Sequence, residues 1–299
     1  MTYNKALFPN IHEVIMSDIT IQIFHTGTVC VAPDLPFGGD HSNALKSSGI
    51  FGRKSDRLWL PVSSYLIEYD DKKILFDTGW HRNMSPEGIY DRKAQIRSLG
   101  SYALYRVNQG VVPEGQAINE QLETQGVEVR NIDAVLISHL DCDHANGLKL
   151  VSDARNILVA QDELDFATNG SLMNRIRYYR PWWEGTKIRG FAWNGTEGPA
   201  GKSYDVFGDG KIVMINIPGH SNGLCALRVM NADGRYVLLF ADGGYATKSW
   251  SQNITSGIAA DKQAQKKSLA WIRDMSMDPR CVASLANHDA DVEPHIIKF

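Results

Sequence analysis

Six consecutive residues, HLDCDH (139–144), hold two imidazoles and two carboxylates, with a thiol between the carboxylates. Such groups are costly to bury and the carboxylates repel each other, and a shared cation is the simplest force that would hold them together. Imidazole and carboxylate ligands suit zinc, iron, manganese or cobalt. His139 and Asp141, two residues apart, face the same side of an extended stretch. Asp143 and His144 follow where the chain turns towards a helix and could face a second ion. His220, Asp242 and His288 can complete the set. Seven ligands suit two divalent ions that share one bridging carboxylate and one bridging water.

The elements that must position these groups are short apolar strands. His139 follows AVLIS, Asp77 ends KILFD, His220 follows KIVMINIPG, Asp242 follows YVLLFA, and His288 follows CVASLAN. Five strands thus each present an acid or an imidazole at or just past the C-terminal end, the usual place for a site carried on loops by a rigid scaffold. Residues 19–25, 62–69, 73–77 and 134–138 also read as strands. Asp70-Asp71 marks a hairpin between the second and third of these. Residues 86–110 read as largely helical, 116–125 as a helix, 161–167 as a helix start and 261–275 as a helix. Gly208-Asp209-Gly210 and Ala232-Asp233-Gly234 signal two more hairpins, and 281–286 reads as the last strand. Hairpins mixed with strand–helix units suggest packed sheets with helices outside.

The bulk numbers fit a globular protein. The 299 residues are 43% hydrophobic and 22% charged, with a net charge of −3, so no nucleic-acid or membrane partner is expected. The four cysteines, Cys30, Cys142, Cys225 and Cys281, form no CxxC and suggest a reducing interior. The N-terminus lacks a signal-like apolar region and no run is long enough to span a bilayer, so a cytoplasmic protein is expected. No GxSxG elbow, P-loop or GxGxxG accompanies the cluster, which argues against a serine triad at Ser138 or Ser221 and against nucleotide binding.

The segment HLDCDH resembles the HxHxDH signature of the metallo-β-lactamase superfamily, with Asp141 where the second His usually stands. ILFDTG (74–79), PGHSNG (218–223), FADGG (240–244) and NHD (287–289) resemble its other motifs, in order, from about residue 19 to the end. Tyr245, three residues after Asp242, together with the segments 60–81 and 287–295, is similar to the N-acyl homoserine lactonase-like branch. The resemblance implies an α/β fold, an αββα sandwich of two mixed β-sheets flanked by helices. It implies one domain over 1–299, with 1–18 free to form an arm against a neighbour. Monomer and homodimer both remain open.

Carried over by position, His139, Asp141 and His220 would hold the first metal, Asp143, His144 and His288 the second, and Asp242 would bridge. Asp77 would support the site without ligating. The implied cofactors are two divalent ions, zinc first, with iron, manganese or cobalt as alternatives. The extra carboxylate at Asp141 hardens the site towards iron or manganese. The implied chemistry is attack of a metal-bridging hydroxide on a small-molecule lactone or ester carbonyl. Asp143 would orient the nucleophile and move a proton, and Tyr245 would donate a hydrogen bond to the oxyanion. Another hydrolysis on the same scaffold (thioester, phosphoester or β-lactam), a di-iron redox protein and a metal-holding binding protein are the competing readings.

Blander roles stand beside these. Cys142 is expected to pack, and His12, His25 and His295 to do nothing chemical. His41 and His81 are weak candidates for lining a pocket. The aromatic run 177–193, with Tyr178, Tyr179, Trp182 and Trp183, could be core, a wall over the metals or a dimer contact.

Overall fold

The computed structural model describes residues 19–50, 52–53, 56–169 and 171–299; the expected arm 1–18, with His12, lies outside them. The first sheet contains β1 (Thr20–Val31), β2 (Leu58–Tyr69), β3 (Lys72–Phe76), β4 (Gln109–Val111), β5 (Ala134–Ile137), β6 (Ile157–Ala160) and β7 (Ile188–Phe191). The second contains β8 (Ser203–Asp205), β9 (Ile212–Asn216), β10 (Cys225–Met230), β11 (Tyr236–Ala241) and β12 (Cys281–Ala286). The chain then returns to the first sheet as β13 (Ile296–Lys298). The orders are β13-β1-β2-β3-β5-β6-β7, with β4 on β1, and β12-β11-β10-β9-β8. Both sheets are mixed: β3, β5, β6 and β7 run parallel, as do β11 and β12, and the remaining pairs are antiparallel.

The two-residue period of the strands creates two apolar layers. Ile21, Ile23, Tyr65, Ile67, Ile74 and Phe76 point into one layer with Met214, Leu227, Val237 and Leu239 of the second sheet. Val62, Leu66, Leu75, Val135 and Ile137 point the other way, onto Trp80, Leu99, Leu122 and Leu148. Burying each such side chain stabilises the fold by roughly 1.5–3 kcal/mol. The helix Lys262–Met277 covers the second sheet through Leu269 and Ile272, and Asp261 caps it by accepting from the amides of Gln263 and Ala264. The result is two mixed sheets flanked by helices, an αββα sandwich.

Three expectations need correction. The strand read at 19–25 continues to Val31 as β1, because an irregularity between His25 and Thr28 restores pairing with β2. Residues 86–110 are two short helices, Arg92–Leu99 and Tyr102–Val107, followed by β4. Gly100 ends the first in a left-handed conformation (φ 66°), and the Ser101 hydroxyl caps the second. Finally, 281–286 is not the last strand: β13 follows, and its three residues are too short to show a period.

Candidate metal centre

β3, β5, β9, β11 and β12 end where their following residues converge. Two of those ends bend through left-handed backbone at non-glycine residues, Asp77 (φ 59°) and Ala241 (φ 44°), the second directly before Asp242. The PGHSNG loop needs its last glycine, because a methyl group on Gly223 would collide with the backbone of Glu163.

Asp242 stands between two groups of side chains. Its Oδ1 lies 3.2 Å from His144 Nε2 and 3.2 Å from His288 Nε2, and Asp143 Oδ2 lies 3.4 Å from His288 Nε2. Its Oδ2 lies 3.5 Å from His220 Nε2 and 3.9 Å from His139 Nε2. Asp141 Oδ2 is 2.8 Å from His220 Nε2 and 3.3 Å from His139 Nε2. All seven residues singled out in the sequence therefore meet. The sets Asp143/His144/His288 and His139/Asp141/His220 each bring their ligand atoms close enough to share one ion.

The groups behind them fix which ring nitrogen faces inward. His144 Nδ1 donates to Asp77 Oδ2 at 2.8 Å, and His288 Nδ1 donates to the carbonyl of Pro61 at 2.7 Å. The Nε2 atoms of His144 and His288 are thereby turned to the centre, where neither they nor Asp242 Oδ1 find a hydrogen-bond partner. Buried polar atoms left in this state fit a cation. Asp77 also accepts from the amide and hydroxyl of Ser138, so it supports the site as expected.

At the other position the donors are engaged by Arg177, which sequence reasoning did not single out. Its Nε and Nη2 bind the two oxygens of Asp141 at 2.6 Å each, and Nη2 also lies 2.9 Å from His220 Nε2. Of that set, His139 Nε2 and His220 Nδ1 lack a partner, while His220 Nε2 and both Asp141 oxygens are engaged. Glu163 was also missed. Fully buried, it accepts from the amides of Leu140 and Gly223 and from the Ser221 hydroxyl, and so ties the HLDCDH loop to the PGHSNG loop. A lone Glu on a helix gives no signal in the sequence, and neither does an Arg in an aromatic run.

The electrostatics follow from this packing. Burial pushes the carboxyl of Asp141 up, but Arg177, with His139 and His220, outweighs it and holds the group well below the usual range. Burial likewise opposes ionisation of Asp242, and His288 and His144 overcome it. The same contacts act in reverse on the imidazoles: burial lowers His144 and His288, and Asp242 more than offsets it, raising both. Burial and then Arg177 lower His220.

Tyr245 is buried beside the centre, its ring stacked on His288 (centroids 5.1 Å, 19°), and burial then Asp242 push its hydroxyl well up. Cys142 packs in the apolar layer, and burial raises its thiol. Tyr178, Trp182 and Trp183 are buried in that layer, with Trp182 donating to the Ser98 carbonyl, while Tyr179 packs at its edge. This is the core role. His41 and His295 are exposed, and His81 caps a short turn through Asn83. Among the described residues no helix is long and apolar enough to cross a membrane.

Comparison with known proteins adds a family. Residues 57–228 match the model of the metallo-beta-lactamase superfamily. A probable metallo-hydrolase of Mycobacterium tuberculosis is 27% identical over 76% of this chain and 71% of its own. The N-acyl homoserine lactonase AttM of Rhizobium radiobacter is 25% identical over 60% of this chain and 67% of its own. A solved N-acyl homoserine lactone hydrolase, with N-hexanoyl-L-homoserine at its catalytic metal centre, has the same fold (TM-score 0.68, 20% identity, 91% and 94% of the two chains). A probable metal-dependent hydrolase from Staphylococcus aureus does too (TM-score 0.65, 18% identity, 92% and 90%). The donors fit an ion at the position of Asp143, His144 and His288; at the position of His139, Asp141 and His220, two of the three are already held by a guanidinium.

Proposed function

Because this chain belongs to the metallo-beta-lactamase superfamily, we propose that it is a metal-dependent hydrolase that opens a lactone, an N-acyl homoserine lactone or a similar small molecule. One observation carries the reading: the Nε2 atoms of His144 and His288 and Oδ1 of Asp242 converge, buried and unpartnered, with their orientation set by Asp77 and Pro61. Metal would be held there by Asp143, His144, His288 and Asp242, with His139, Asp141 and His220 around the adjoining position. A divalent ion so held supplies a Lewis acid and brings the pKa of water near neutrality.

The chain's own groups do the rest. Asp143, beside His288 in the centre, accepts the proton of the attacking water and passes it to the departing ring oxygen. Tyr245, beside Asp242 and against His288, donates a hydrogen bond to the oxygen that gains charge. Arg177 and His139 add fixed positive and polar character on the other flank.

The test is ring opening of an N-acyl homoserine lactone, followed by proton release, with metal-loaded and chelated protein. Metal-dependent opening is the expected result. Turnover only of a thioester, phosphoester or β-lactam would move the protein to another hydrolysis on this scaffold.

A further inference from the structure

We propose that the two cation positions are unequal: Arg177 supplies the positive charge at the position of His139, Asp141 and His220, and a divalent ion is resident only at that of Asp143, His144 and His288. This rests on the metal-dependent reading of the centre and refines it. The Arg177 fork takes both Asp141 oxygens at 2.6 Å, and the same Nη2 sits 2.9 Å from His220 Nε2. An ion ligated by Asp141 and His220 would have to lie about 2.0–2.2 Å from those two atoms. That is the space the Nη2 hydrogens fill, so ion and guanidinium exclude each other.

The unpartnered atoms divide accordingly. Around one position His144 Nε2, His288 Nε2 and Asp242 Oδ1 lack partners; around the other His139 Nε2 and His220 Nδ1 do, but the His220 nitrogen that faces Asp141 is Nε2, and Arg177 occupies it. The sequence departure has the same logic. A carboxylate accepts two parallel N–H bonds from a guanidinium, and an imidazole cannot, so Asp141 in place of the usual His makes the fork possible.

Arg177 is also seated. It ends the helix Leu172–Arg177, lies over the Tyr178 ring at 5.0 Å, and donates Nη1 to the carbonyl of His220 at 3.3 Å. Swinging away would leave the Asp141 charge unpaired inside the protein, and a guanidinium does not shed its proton to make room.

Stoichiometry decides the matter without reference to activity. Chelator-treated full-length protein is titrated calorimetrically with zinc chloride, and elemental analysis counts the ions retained after dialysis. The wild type should take one equivalent tightly and a second roughly 100-fold more weakly or not at all. Arg177→Met, which keeps the length of the stem and removes the charge, should gain affinity for the second equivalent; Arg177→Lys, which breaks the fork, should gain part of it. Two equivalents of similar affinity in the wild type would overturn the proposal, whatever the variants do. A wild type that binds no ion would instead remove the metal-dependent reading itself.

Discussion

Asp77 controls His144 from behind: its Oδ2 takes the Nδ1 proton at 2.8 Å, and Nε2 is thereby aimed at Asp242. Asp77→Asn puts an amide in place of a pure acceptor and loosens that aim. Metal affinity should fall by roughly 10–100-fold, as for other residues that orient a ligating imidazole. Competition with a chromophoric chelator measures it. Undiminished affinity would show that Asp77 has no orienting role.

Glu163 joins two ligand-bearing loops through three hydrogen bonds, from Leu140, Ser221 and Gly223. Glu163→Gln loses the charge and leaves one donor facing another. Stability should fall by about 1–3 kcal/mol in urea unfolding, with metal affinity falling in parallel. A variant as stable as the wild type would mean that the loops hold each other without it.

Removing metal should cost stability as well as activity. An ion that binds only the folded chain at 1,000 times its dissociation constant contributes about 4 kcal/mol. For a chain of this length, chelation should lower Tm by roughly six to seven degrees, and restored metal should raise it again. Scanning fluorimetry with and without chelator gives the answer, and coincident curves would argue against a bound ion.

Tyr245→Phe keeps the ring that stacks on His288 and removes the hydroxyl. kcat should drop by roughly 100-fold, with KM and Tm nearly unchanged, the pattern of an interaction made mainly in the transition state. A rise in KM alone would reassign Tyr245 to substrate binding.

Far from the centre, Arg82 grips Glu120 with two hydrogen bonds, of 2.7 and 2.5 Å, and holds its carboxyl below the usual 4.5. A lowered folded-state pKa contributes stability that is present above the unfolded value and lost as pH falls. Glu120→Gln should therefore be less stable than the wild type at pH 7, and the gap should close below about pH 4 in chemical denaturation. A gap that persists in acid would point to packing.

What the sequence revealed and what it hid divide along physical lines. KILFD, AVLIS, YVLLFA and CVASLAN are runs long and apolar enough to read as strands, and each places a metal-binding type of residue at or just beyond its end. Packed sheets and the seven converging groups could therefore be read from one dimension, while the two-sheet sandwich came from the resemblance to the superfamily. β13 could not, since IIK has no period to detect. Arg177 and Glu163 were invisible for a different reason. They act through partners 36 and 58 residues away, and nothing in their own neighbourhood announces those partners. The aromatic run 177–193 misled in the opposite sense: Trp182 and Trp183 looked equally suited to a wall, a dimer contact or a core, and packing alone selects the core.

The left-handed backbone at Asp77 and Ala241 bears on how this molecule can be improved. L-residues adopt that geometry at a penalty of about 1 kcal/mol or more, and glycine does not. A selection for heat resistance alone would thus favour glycine at 241, where the exchange would also free the hinge that aims Asp242. At 77 it would instead strip the acceptor from the Ser138 amide and hydroxyl and from His144 Nδ1, a loss larger than the strain relieved. Robust but sluggish descendants with glycine at 241 are the outcome to expect from such a screen, and holding that codon constant is the way to avoid them.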